Sequence, residues 1–285
     1  MESGAAGRAR NTMYESYWQL RAKPFESTGD AAFFYPSEAH QGSLLKLRYA
    51  IENRRSAALL VGAAGVGKTL IVRSLRQYLG DAYGPLVHLV FPELTAGELL
   101  AYVARGLGAK ETSVGEAGVD RRVHAIEQVL ADHVRRGKHA VVIIDEAHRL
   151  AGTPTFEALR LLTNFDIEGR PALTMLLVGQ TPLLAALDRM PQLEERLAVK
   201  TLLRPLSAEE TRAYVEHRLR AAGAERELFD SAALEAVHEL AHGVPRRINR
   251  LCDLSLLIGY AEEQPIIGAA QVENVSHELV SISPE

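Results

Sequence analysis

The chain has 285 residues, 47% of them hydrophobic and 24% charged, with a formal net charge of −4. That length can bury one large core or two smaller ones, and the charge balance gives no overall electrostatic footprint for nucleic acid. The single cysteine, Cys252 in "RLCDLSLLIG", rules out an internal disulfide and a thiolate metal cluster; its apolar surroundings mark it as a small buried side chain.

In chain order, "MESGAAGRARNT" (1–12) has small and basic residues but no apolar run that could act as a signal peptide, and it reads as a disordered tail. No apolar stretch approaches the roughly 18–20 residues that cross a bilayer, so a cytoplasmic protein that meets a membrane only through partners is expected. Short runs rich in Val, Leu and Ile predict strands at 57–61, 86–91, 140–144, 173–178 and 199–203. Apolar spacings of three and four predict helices at 68–79, 95–107, 121–136, 155–166 and 182–196. Strands alternating with helices imply an α/β domain with a mainly parallel sheet, because parallel strands need crossover connections.

After "RPLS" the strand signals stop. Ser207 followed by Glu209 and Glu210 predicts a capped helix start, and helical patterns then fill 207–222, 228–241, 244–261 and 269–280, with breaks at Gly223, "HGVP" and Pro265. The expected organisation is a tail over 1–12, an α/β nucleotide-binding core over 13–205 and an all-helical lid over 206–285.

The chemistry starts at "GAAGVGKT". Gly62, Gly67, Lys68 and Thr69 fit the pattern G-x-x-x-x-G-K-[ST], and the fit falls between a predicted strand and a predicted helix, where the pattern has physical meaning. Glycines let several backbone N–H groups face one point, and the helix N-terminus adds positive potential there. Gly62, Ala63, Ala64, Gly65, Val66, Gly67, Lys68, Thr69 and Leu70 are therefore the candidate ATP-binding residues. Lys68 is suited to reach the β- and γ-phosphates, and the Thr69 hydroxyl to ligate Mg²⁺.

A second half of such a site is an acid ending another buried strand, and "HAVVIIDEAH" supplies Asp145 and Glu146 after five apolar residues. Strand ends of this kind face the ligand crevice of open α/β sheets. Asp145 is the candidate second Mg²⁺ residue and Glu146 the candidate base that polarises the attacking water. The 75 residues between Thr69 and Asp145 leave room for an intervening strand with its helices. "DEAH" spells a helicase motif, but the short helical C-terminal part offers no second motor domain, so the spelling is coincidental.

With both motifs placed, the chain resembles the AAA+ class of P-loop ATPases. It is most similar to the general secretion pathway protein A type and its pilus-biogenesis and transposition relatives. The blocks that carry the resemblance are "MYESYWQLRAKPFESTGDAAFFYPSEAH", "LRLLTNFD", "LLVGQTPL", "RPLSAEE" and "GVPRRINRLCDLSLL", over residues 13 to about 265. The resemblance implies a five-stranded parallel sheet, a C-terminal helical lid, ATP hydrolysis with Mg²⁺, and ATP-dependent self-assembly.

The resemblance also implies residue roles. Gln180 in "VGQ" takes the first sensor position, holding the attacking water or the γ-phosphate, with helix capping as the alternative. Arg246 after Pro245 takes the second sensor position, with Arg247 and Arg250 as adjacent alternatives. Arg196 resembles the finger that enters a neighbouring subunit's site, with Arg189 as runner-up. Tyr35, Pro36 and His40 either wall an adenine pocket or pack in the core.

Longer members of that family continue into a membrane span and a periplasmic domain, which this sequence does not show, so the expectation is the motor part alone. The expected function is an ATPase that drives or regulates assembly of a macromolecular machine, envelope-associated as in secretion, pilus or polysaccharide export, with a protein client. The alternatives are an ATP-gated regulator assembling on DNA and a nucleotide-held structural adaptor. Basic clusters at 121–122 and 133–139 have no interleaved aromatics for base stacking, so the sequence lends DNA binding no support.

Overall fold

Three strands, β1 (Ala57–Gly62), β3 (Ala140–Ile144) and β6 (Leu173–Gly179), are buried at every residue. Two others, β2 (Leu86–Leu89) and β7 (Leu197–Leu203), alternate buried with more exposed positions. The difference follows from their order in the sheet, β2-β3-β6-β1-β7: the three central strands are covered on both faces and read as continuous apolar runs, whereas β2 and β7 are edges. All the pairings are parallel, with Ala57 opposite Met175, Ala140 opposite Leu173 and Leu86 opposite Val141. The computed structural model describes residues 13–26, 31–90, 93–110 and 118–281. They form two compact units, one of Glu38–Arg204, the other of the described residues in Met1–Ser37 and Pro205–Glu285.

In the first unit the sheet carries α1 (Glu38–Glu52), α2 (Lys68–Tyr78), α3 (Ala96–Leu107), α4 (Val119–Arg135) and α5 (Pro154–Leu162). Helix α3 begins with a reciprocal cap: the Thr95 side chain accepts from the Glu98 N–H, and Glu98 accepts from the Thr95 N–H. It packs against α4, and Leu99, Val103, Leu107, Ile126 and Leu130 join the buried strands in one core. The helix expected over 155–166 stops at Leu162. The chain then makes a two-stranded antiparallel hairpin, β4 (Asp166–Ile167) and β5 (Arg170–Pro171). Its turn residues Glu168 and Gly169 both have positive φ, 57° and 76°, the pair that matches the strand twist in a two-residue hairpin.

The helix expected over 182–196 is two short ones, α6 (Pro182–Leu187) and α7 (Pro191–Glu194). Pro191 has no N–H to continue a helix and disfavours helical backbone at Met190, which has φ −128°. Helix α1 was not among the expected elements.

The second unit contains α8 (Ala208–Ala221), α9 (Ser231–Ala241), α10 (Pro245–Ala261) and α11 (Ala269–Ser281). Helix α8 has the cap read from sequence, with Ser207 Oγ accepting from the Glu210 N–H at 3.1 Å and Glu210 accepting from the Ser207 N–H at 2.9 Å. The N-terminal segment groups with these helices, which differs from the core expected over 13–205. Tyr14, Trp18, Leu20, Phe25 and Phe33 are buried in one cluster with Val215, Leu219, Phe229, Ile248 and Leu256. The Trp18 indole donates to the Leu256 carbonyl at 2.9 Å, and Arg218, itself buried, donates to the carbonyls of Pro24 and Glu26. Four helices leave an apolar cleft that these aromatics fill, each with about 150–250 Å² to bury. Cys252 is fully buried in the same cluster, and burial pushes its thiol well above the ordinary range. The tail expected over 1–12, and Phe91 at the end of the second expected strand, lie outside the described residues.

Candidate active site

The C-terminal ends of β1, β3 and β6 lie side by side in the first unit, because β6 pairs with both others in parallel. Val61 is opposite Gly179, and Ile144 is opposite Leu177. The residues that follow are therefore gathered at one edge of the sheet: the loop from Gly62, then Asp145 and Glu146, then Gln180. This is the crevice edge of an open parallel sheet.

The loop 63–67 leaves β1 and enters α2 through Gly67, whose φ of 105° is open to glycine at low cost. A Cβ on Gly67 would sit 2.6 Å from Nε2 of His40, and one on Gly62 would sit 2.7 Å from the Leu203 carbonyl oxygen; both positions require the missing side chain. His40, on α1 and 5% exposed, donates from Nε2 to the Val66 carbonyl at 3.1 Å. It thus braces the loop from beneath. Tyr35 lies in the other unit, edge-on to Tyr214 at 5.9 Å.

The Lys68 side chain is 6% exposed, and its ammonium donates to the carbonyls of Gly62 and Ala63, both at 2.9 Å. A buried cation is thereby held at the mouth of a bend. Among the described residues the N–H groups of Gly65, Gly67 and Thr69 have no backbone acceptor, while Ala63, Ala64, Thr69 and Leu70 are exposed. Accessible donors, a held ammonium and a helix N-terminus are the donor set that fits a phosphate chain.

Asp145 is 4% exposed. One of its oxygens accepts the Glu146 N–H at 2.9 Å, and the other lies 3.7 Å from Nε2 of His88 on β2. Its own N–H donates to the Leu89 carbonyl, which ties the β3 end to β2. Glu146 has left-handed backbone, φ 51° and ψ 32°, which turns its side chain out of the strand direction. Its carboxylate accepts from the Gln180 amide at 3.3 Å and lies 3.6 Å from Nδ1 of His148. The Gln180 N–H in turn donates to that Nδ1 at 3.4 Å, so Gln180 and His148 flank Glu146 together. A hard oxygen pair from Asp145 and the Thr69 hydroxyl fits the chemistry of Mg²⁺.

Sequence reasoning missed His148 and His88. The signal for His148 was present: it stands two residues after Glu146, within "DEAH", which was set aside as a helicase spelling. His88 stands in an apolar run and carries no motif of its own. The Gln180 side chain thus bonds Glu146, and its backbone carbonyl accepts the Leu183 N–H at the start of α6.

Of the remaining candidates, Arg189 and Arg196 belong to the first unit and Arg246, Arg247 and Arg250 to the second. Arg196 precedes β7, at the N-terminal edge of the sheet, where it donates to the Thr163 carbonyl at 2.9 Å; Arg189 is exposed after α6. Arg246, Arg247 and Arg250 are exposed along α10 in the helical unit.

Residues 51–187 match the AAA domain family. General secretion pathway protein A of Aeromonas hydrophila is 32% identical over 277 residues, which cover 96% of this chain and 50% of that protein. The chain thus spans about half the length of the curated relative it matches. Among solved structures, Aeropyrum pernix ORC2 in its ADPNP–ADP complexes superposes with a TM-score of 0.68 at 16% identity, covering 92% of this chain and 72% of that one. Drosophila ORC bound to DNA superposes with a TM-score of 0.69 at 16% identity, covering 98% and 70%. At that identity the two structures speak for the fold alone. The chain carries an AAA domain over residues 51–187 and is a relative of general secretion pathway protein A over about half of that protein's length.

Proposed function

We propose that the chain binds MgATP on the loop from Gly62 to Leu70 and hydrolyses it, and that turnover drives or regulates assembly of an envelope-associated machine with a protein client. The observation that carries this reading is the carboxylate of Glu146 held by the Gln180 amide, at the same sheet edge as the Lys68 loop. A bare phosphate-binding loop needs no such carboxylate, whereas a hydrolase needs a base.

In this reading the loop N–H groups and Lys68 grip the β- and γ-phosphates, and Thr69 with Asp145 would hold Mg²⁺. Magnesium, when bound, supplies charge that stabilises the leaving phosphate oxygens. Glu146 takes the proton of a water attacking in line with the γ-phosphorus: a new P–O bond forms, the bridging P–O bond breaks, and ADP leaves with the electron pair. Gln180 fixes which way the Glu146 carboxylate faces. Arg196 is delivered to the site of a second copy, an effect typically worth a factor of about 10³–10⁵ where an arginine acts in trans. Arg246 reports the nucleotide state to the helical unit. Its 32% identity to general secretion pathway protein A supports the envelope setting.

Replacing Glu146 with Gln separates binding from chemistry. The variant retains MgATP and the assembled state on sedimentation, while phosphate release falls about 10²-fold or more. Turnover at the normal rate would remove Glu146 from the role of base.

A further inference from the structure

His148 stands on the short 3₁₀ turn Ala147–Leu150 that follows β3. Among the described residues its ring has polar contacts with two groups alone, both at the candidate site: Nδ1 accepts the Gln180 N–H at 3.4 Å and lies 3.6 Å from Oε2 of Glu146. His133, His139 and His217, by contrast, each use Nε2 to bond a carbonyl or a hydroxyl away from the site. The turn does not depend on the ring for its hold on the sheet, since Ala147 and Leu150 are buried in the core of the first unit and Arg149 pairs with Glu93. The ring is nonetheless seated closely: a Cβ on Gly179 would lie 3.3 Å from the His148 backbone nitrogen and 3.5 Å from Nδ1.

A backbone N–H can only donate, so Nδ1 is an acceptor and the neutral ring carries its proton on Nε2. Gln180 stands just past the end of β6, and among the described residues no backbone carbonyl accepts its N–H. The ring supplies the acceptor that the strand end lacks. That contact fixes the backbone from which the glutamine side chain springs. With three rotatable bonds the side chain otherwise spreads over many rotamers, and few of them place its amide 3.3 Å from Oε2 of Glu146. The direction of the bond matters as well: a proton on Nδ1 would be donated to that same oxygen and tie up the base. With its lone pair taken by the Gln180 N–H, the ring leaves the carboxylate free to accept a proton.

We infer that His148 is a positioning residue for the hydrolysis: as a neutral acceptor at Nδ1 it holds the Gln180 backbone, and through Gln180 it keeps the Glu146 carboxylate turned to take the proton of the attacking water. The inference rests on the reading of Glu146 as base given above. One ring atom then joins the turn after β3 to the end of β6, and the residue acts without touching the nucleotide or the metal.

The test uses the full chain with His148→Asn, His148→Leu and Gln180→Ala, the last two also combined. It reads kcat and KM for phosphate release, MgATP affinity by calorimetry, and thermal melting. Asparagine places an acceptor oxygen about where Nδ1 lies, whereas leucine fills similar space and accepts nothing. His148→Leu is expected to melt and bind MgATP like the wild type while its kcat falls at least about 10-fold. His148→Asn keeps kcat within about 3-fold of the wild type, because the acceptor is restored. In the Gln180→Ala background His148→Leu lowers kcat no further, since two residues that act through one contact are not additive. A wild-type kcat in His148→Leu overturns the inference and leaves Glu146 as base. So does an asparagine variant as slow as the leucine one, or the same fall in kcat from His148→Leu with and without Gln180. A His148→Leu protein that melts early or binds MgATP poorly also overturns it, since the ring then supports the fold or the nucleotide. A wild-type chain that binds MgATP and releases no phosphate removes the reading of Glu146 as base, and the inference goes with it.

Discussion

Gly67 shows how tightly the loop is specified by single residues. Its φ of 105° and the 2.6 Å separation of any added Cβ from His40 are independent obstacles. Left-handed backbone at a residue with a side chain costs on the order of 1–3 kcal/mol, and the His40 ring must also shift. Gly67→Ala is therefore expected to lower unfolding stability by about that amount and to weaken MgATP binding. Adding His40→Ala relieves the steric part but not the backbone part, so the double variant recovers only partly. Urea unfolding and nucleotide titration of the three proteins check this; an alanine variant as stable as the wild type would contradict the geometry. Glu146 is a further case, because its turned backbone sets the carboxylate where both Gln180 and His148 reach it.

Elements follow the physical signals unevenly. The reciprocal cap at Ser207 starts α8 where sequence places it, and Ser207→Ala should cost about 1 kcal/mol, with Ser207→Asp keeping most of it; thermal melting distinguishes the two, and equal loss in both would mean the side-chain oxygen does not hold the helix end. All five strands were legible because three are buried on both faces and need continuous apolar runs, while the edge strands still keep apolar side chains on one face. The hairpin of β4 and β5 was not legible, since strands of two residues offer no period to read. Helix α1 escaped for a different reason: its buried face includes the polar His40 and Ser43, held by Val66 and Thr201, while Leu45 and Tyr49 are exposed, so its apolar pattern is blurred. Pro191 is visible in sequence and divides the segment 182–196 that the apolar spacing joins.

On the scale of the whole molecule, the chain comprises an α/β unit and a helical unit, and the N-terminal aromatics belong with the second. That grouping was hidden from sequence because the contacts join residues about 200 positions apart, such as Trp18 with Leu256, and no local pattern encodes them. The positions of the Gly62–Leu70 loop and of Asp145 and Glu146 at strand ends were legible, since each combines a short motif with a strand that ends at it. The contact from Gln180 to Glu146 needed the register of β6 against β3. None of the described helices is long and apolar enough to cross a membrane.

The proposed chemistry requires one Mg-bound triphosphate to meet both the loop at Gly62–Leu70 and the acids Asp145 and Glu146. Calorimetric titration of MgATP into the wild-type chain and into Lys68→Ala tests this most directly. Saturating heat near one nucleotide per chain is predicted for the wild type, weakened when EDTA removes the metal, with none for Lys68→Ala. Absence of heat in the wild type, or equal binding by the Lys68→Ala protein, would contradict it.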